Sequence, residues 1–143
     1  MAETWSLYGM EIPLVRTTLF STVPKEDCLA LFADGHTDYR KVVRLLDFSK
    51  RDVAKASNIP SISVRYDQKI PRELAERLQE WAIALNMVAQ YFQDEHKTVL
   101  WFKTSNPLLG NLTPRDMIRV GRFKKLQRFI QNALDENERP RNK

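Results

Sequence analysis

Between Pro71 and Gln93 lies the longest uninterrupted periodic stretch of the chain. Leu74, Leu78, Trp81, Leu85, Val88 and Phe92 follow one another at alternating intervals of four and three residues, and no glycine or proline intervenes. That rhythm places all of them on one stripe of an α-helix, so the segment from Arg72 to about Phe92 is predicted to be a helix of roughly six turns. Such a spine must bury its stripe against other elements, and the remaining composition favours helices for that purpose. Only 4 glycines stand beside 7 prolines, with 43% apolar and 29% charged residues among 143 positions. That argues against a β-sandwich or a glycine-rich nucleotide-binding sheet. The length suits one ordinary domain or two very small ones, and the expected fold class is all-α.

Helix start and stop signals divide the rest. Pro24, Lys25, Glu26 and Asp27 precede Cys28, Leu29, Leu31 and Phe32, which predicts a short helix stopped at Asp34-Gly35. Cys28 then reads as a core residue on an apolar face. Thr37 or Asp38 caps a helix whose Tyr39, Val42, Val43, Leu45 and Leu46 share a buried face. Ser49 stands three residues before Asp52, a capping-box spacing, and opens a helix through Ser57. Another short helix is expected over Ile62 to Tyr66. Beyond the spine, Asp94 or Glu95 restarts a helix that stops before Asn106-Pro107. Thr113-Pro114-Arg115-Asp116 supplies a cap, a proline at the first helical position and an acid three residues on, the sharpest helix start in the sequence. A last helix carries Phe123, Leu126, Phe129, Ile130 and Leu134 into a polar tail. Residues 1–23 show no sustained period, yet Trp5, Leu7, Tyr8, Ile12, Leu14, Val15, Leu19 and Phe20 make them too apolar for a plain linker. They form an irregular arm that docks on its own domain or a partner, with room for a short strand near Leu14 to Phe20.

The chemistry-bearing residue types exclude more than they offer. A single cysteine rules out an intramolecular disulfide, and neither it nor His36 or His96 has neighbours at metal-ligand spacing. No nucleophile is paired with a base and no glycine-rich phosphate loop occurs, so no enzyme, metal site or cofactor is expected. Neither a secretory signal nor a window near the ~18 apolar residues of a membrane span is found, which leads us to expect a cytoplasmic protein without membrane contact. The net charge of +5 is unevenly spread: residues 37–80 hold 10 basic against 7 acidic residues, and residues 113–143 hold 9 against 4. Two basic surfaces imply acidic partners, although charge alone does not separate nucleic acid from protein.

Residues 49–67 have the layout of a helix-turn-helix, with Ser49–Ser57 as supporting helix, Ile59-Pro60 as turn and Ser61–Asp67 as reading helix. On that reading Ser61, Ser63 and Arg65 reach base edges or phosphates, while Lys50, Arg51, Lys55 and Lys69 rest against the phosphate backbone. Ile62 and Val64 face inward or meet thymine methyl groups.

Between Lys103 and Ile118 stand Asn106-Pro107, Leu109-Gly110 and Pro114-Arg115-Asp116. On residues alone this is a helix stop, a loop and a capped restart. An Asn-Pro, a Leu-Gly and a Pro-x-Asp in that order between two helices also resemble the signature of the toxin-binding domain of Xre/MbcA/ParS-type antitoxins. The preceding Trp101, and a long helix behind a degenerate helix-turn-helix, are similar to that family's order, so the resemblance covers about residues 38–134. The arm before Asp38 has no counterpart in it. The resemblance implies an antitoxin of a type II toxin-antitoxin system, with no catalysis of its own, that covers the active site of an NAD-consuming RES-domain toxin. It also implies binding of operator DNA for autoregulation, and homodimers within a larger complex. The implied division is an N-terminal arm and short helix over 1–36, an Xre-like helix-turn-helix region over 37–80, and a toxin-binding region over 81–143. Toxin contacts then fall to Trp101, Asn106, Leu109, Pro114, Arg119, Arg122 and Lys125, with Lys124 and Arg128 adding to the basic surface. The rival expectation is a stand-alone helix-turn-helix transcriptional regulator without a toxin partner.

Overall fold

A computed structural model describes residues 27–33 and 35–138. Among the described residues the fold is all-α apart from one small hairpin: β1 (Phe32–Ala33) and β2 (His36–Thr37), then α1 (Tyr39–Leu46), α2 (Lys50–Ser57), α3 (Arg72–Phe92), α4 (Glu95–Phe102), α5 (Pro114–Arg119) and α6 (Phe123–Glu138). Single 3-10 turns at Ser61–Ser63 and Pro107–Leu109 interrupt the connections α2–α3 and α4–α5. The arm over residues 1–23, its expected strand and the tail beyond Glu138 lie outside the described residues.

The spine helix spans the expected residues, but its burial changes along its length. Over the first turns only the stripe of Leu74 and Leu78 is covered, whereas Trp81 through Ala89 are buried without interruption. A buried run of that length, apolar but for Asn86, is what a helix surrounded on every side requires, and α1, α4 and α6 all pack on α3. One hydrophobic core results, running from Leu29 and Leu31 through α3 to Met117, Ile118, Leu126 and Ile130. The boundary drawn between residues 80 and 81 falls inside α3.

Local signals explain most helix ends. The Asp38 carboxylate accepts from the Lys41 amide, Ser49 and Asp52 form the reciprocal capping box, and Asp94 accepts from the Lys97 amide. Helices α1, α2 and α3 stop where Asp47, Asn58 and Gln93 turn left-handed, with φ of 56°, 59° and 55°.

Two expected helices are replaced. Of the helix from Pro24 to Phe32, the described part is a turn leading into the hairpin. Ala30 takes a φ of 54°, and Phe32 and Ala33 pair with Thr37 and His36 around Gly35. The cause is Asp27. Its carboxylate accepts from the Leu31 amide at 2.7 Å and the Phe32 amide at 2.8 Å, so the amide that a helix would direct to the Asp27 carbonyl goes to the side chain instead. Cys28, expected in the core, is exposed. The reading helix over Ser61 to Asp67 contracts to one 3-10 turn. Val64 continues in extended backbone, its side chain buried in the core, and an Asp67 turn that accepts from the Lys69 amide at 3.0 Å redirects the chain into α3.

Candidate functional site

The loop joining α4 to α5 is built almost wholly from the residues that carry the family resemblance. Asn106 is its hub. Its side-chain oxygen accepts from the Leu108 amide at 2.9 Å, its carbonyl accepts from the amides of Leu109 and Asn111 at 2.9 and 3.0 Å, and its own amide donates to the Leu112 carbonyl at 3.0 Å. Pro107 fits the first position of the 3-10 turn, and Gly110 supplies the left-handed exit at φ 73°. Leu109 drops into the core while its neighbour Leu108 stands 78% exposed. Thr113 then caps α5 by accepting from the Asp116 amide at 2.9 Å.

The Pro-x-Asp element fastens this loop to the first helices. Arg115 donates from Nε to the Leu46 carbonyl at 2.6 Å and from its terminal nitrogen to the Asp47 carbonyl at 2.7 Å, and it lies over the Phe48 ring. It caps the C-terminal end of α1, where unpaired carbonyls and the helix dipole favour a cation. Asp116 holds Arg119 at 2.6 Å, and Arg119 also faces Asp52 of the α2 capping box at 4.0 Å. Lys103 adds a contact to Asp47 at 3.5 Å. The Ser49 amide, first, and the nearby Ser49 side chain, Arg119 and Arg115 hold the Asp52 carboxyl below its ordinary pKa against partial burial.

Beside the loop, α3, α4 and α6 enclose an apolar groove of about 280 Å³, lined by Tyr91, Phe92, Trp101, Asn106, Phe129 and Leu134 among others. Tyr91 and Leu100 are more than half exposed. The seven residues expected to touch a toxin therefore separate into three groups. Trp101 and Asn106 meet in the groove; Leu109 and Pro114 are buried supports, and Arg119 is engaged with acids of its own chain; Arg122 and Lys125 are exposed around the start of α6. Arg115 escaped sequence reasoning, because nothing near it in sequence marks carbonyls 68 and 69 residues away.

The expected nucleic-acid set is divided too. Lys50, Arg51 and Lys55 are exposed on α2, and Arg51, Lys55, Asn58, Pro60 and Ser61 border an open depression of about 530 Å³. Ser61 is exposed and Ser63 half-buried on the 3-10 turn, and Ile62, expected to face inward or meet a base, is 88% exposed. Arg65 is committed to Asp67 through two bonds of 2.8 and 2.6 Å, which with the Lys69 amide lower the Asp67 pKa to about 2. Lys69 is exposed in that turn.

Among the described residues no group of His, Cys, Asp and Glu side chains could hold a metal ion, and no helix is long and apolar enough to cross a membrane. His36 and His96 are both exposed. No protein-family model matches the chain, and no curated protein matches it.

Proposed function

We propose that the chain is an antitoxin whose α4–α6 region covers the catalytic mouth of a RES-domain toxin that consumes NAD. One observation carries this reading. Asn106-Pro107, Leu109-Gly110 and Pro114-Arg115-Asp116 make a single cross-braced loop that sets Asn106 beside Trp101 in an apolar groove. A surface held by backbone bonds and caps loses little freedom on binding, which is what a steric plug needs. Arg122 and Lys125 offer cations to acidic or phosphate-recognising features near an NAD pocket. The antitoxin works in the cytoplasm as a homodimer within a larger complex and does no chemistry itself.

The test is NAD consumption by a purified RES-domain toxin that co-purifies with this chain, with and without the purified protein. Stoichiometric protein should abolish turnover. Full toxin activity in the presence of excess protein would remove the proposal.

A second reading, a stand-alone DNA-binding regulator, is favoured by the exposed Lys50, Arg51 and Lys55 on α2. A one-turn 3-10 element is a short reader for a major groove, so contact there would fall mainly on phosphates and be strongly salt-dependent. Truncation is a poor discriminator, since Met117, Ile118, Leu126 and Ile130 belong to the common core. Charge reversal at Lys50, Arg51 and Lys55 separates the readings: a regulator loses DNA binding, whereas toxin neutralisation is untouched.

A further inference from the structure

Helix α6 carries its charges at the ends that its own dipole disfavours. Its first turn holds Lys124 and Lys125 and no acid, Arg128 follows one turn on, and its last turn holds Asp135 and Glu136 and no base. The N-terminal end of a helix is its positive pole and the C-terminal end its negative pole, so both blocks weaken the helix when it stands alone. All five side chains are exposed. A partner that offsets this brings acids to one end of α6 and bases to the other. Nucleic acid or a uniformly acidic peptide meets only the first block and is repelled by the second.

A second copy of α6 laid antiparallel meets both blocks. A two-fold axis at the level of Ile130 sets Lys124 and Lys125 of one protomer opposite Asp135 and Glu136 of the other, and symmetry repeats the same pairs at the far end of the contact. Lys125 and Asp135 lie about 15 Å apart along the helix, which leaves room for a central patch between the two sets of charges. That stretch suits the middle of an interface. Lys125, Phe129, Asn132 and Glu136 follow one another at intervals of four, three and four residues and so share one stripe, with Ala133 beside it. Phe129 is half-buried and Ala133 exposed, and both edge the groove between α3, α4 and α6, where Tyr91 is exposed as well. An apolar middle between charged ends is the anatomy of an interface core and its rim. The charges at the rim then fix register and partner choice.

We infer that two copies of the chain associate through antiparallel α6 helices, with Phe129 and Ala133 at the centre and Lys124 and Lys125 of each copy facing Asp135 and Glu136 of the other. The inference gives the homodimer of the proposed function its contact and rests on that part of the reading alone. Lys125 then turns to the second copy, while Arg122 and the exposed Leu108 stay open to the toxin.

Sedimentation equilibrium of the full chain tests the inference with no toxin present. The parent should reach dimer mass at about 100 μM protein, as a contact at the small end of specific interfaces requires. Lys124→Glu/Lys125→Glu and Asp135→Lys/Glu136→Lys should each weaken the dimer at least about tenfold, since like charges then face one another at both ends. Neither double substitution harms the folded monomer, because each moves charge to the end of α6 that the dipole favours. Mixed in equal amounts, the two variants should regain the parent's dimer affinity, as the acids of one again meet the bases of the other. If the parent is a dimer, persistence of the dimer in either variant alone, or a mixture that stays monomeric, overturns the α6 contact and leaves the homodimer to another surface. A parent that stays monomeric overturns both.

Discussion

Arg115 reaches back 69 residues to donate its Nε proton to the Leu46 carbonyl at 2.6 Å, with its terminal nitrogen on the Asp47 carbonyl one residue further. A side chain from the first turn of α5 thereby closes the last turn of α1. Its guanidinium lies over the ring of Phe48, which meets Trp81 of the spine edge-on at 5.7 Å. The helix that opens the expected toxin-binding face is thus part of the same mechanical unit as the first two helices.

Arg115→Ala should destabilise the domain by about 2 kcal/mol, since two charge-assisted bonds to carbonyls and a cation–π contact go together. Arg115→Lys should recover less than half of that loss, because an ammonium lacks the planar fork that serves both oxygens. Urea unfolding of the three proteins measures both effects. A lysine variant as stable as the parent would show that charge alone matters there.

Asn86 is fully buried and spends its amide on Leu29 and Asp27. Asn86→Ala should cost about 2–3 kcal/mol, as the Leu29 amide loses its acceptor. In a double-mutant cycle with Asp27→Ala, the losses should be clearly less than additive, because the two residues share one network. Simple additivity would show that they act independently.

Asp52 titrates below its ordinary value because the Ser49 amide donates to it, with Arg119 and Arg115 adding smaller contributions. A depressed carboxylate supplies stability that is complete above its unfolded pKa and is lost as the pH falls through the folded value. Asp52→Asn should therefore be less stable than the parent at neutral pH, and the difference should close as acid protonates Asp52. Denaturation midpoints along an acid titration report this, and a constant difference at all pH values would refute it.

What the sequence made legible was local. The 3.6 rhythm marked α3 from end to end, Ser49 with Asp52 marked the start of α2, and Thr113-Pro114 marked the start of α5, because each signal and its partner lie within four residues. Failures came where a distant partner decided. Asp27 preferred its carboxylate to its carbonyl as acceptor for Leu31, and Asn86, 59 residues away, holds it there. Burial of Val64 in the core left Ser61–Ser63 a single turn, while Ile62 turned outward. Of the candidate site, Trp101 and Asn106 were legible through the motif. The groove was not, because Tyr91, Phe129 and Leu134 meet them only through the packing of α3, α4 and α6.

Leu108 and Leu109 allow fold and partner binding to be separated at adjacent positions. Leu109 is buried beneath the loop, and Leu109→Ala should cost about 2–4 kcal/mol as the core loses a packed side chain. Leu108 is 78% exposed on the loop that carries Asn106, and Leu108→Ala should leave stability within about 0.5 kcal/mol of the parent. A leucine held outward by a fully bonded loop is well placed to anchor a partner at little entropic cost. If the toxin seats on this face, Leu108→Ala should weaken inhibition roughly tenfold, which is the transfer free energy of the lost side chain. Titration of NAD hydrolysis against each variant, alongside its unfolding curve, makes the comparison. Undiminished inhibition by Leu108→Ala would place the toxin contact on another face of the molecule.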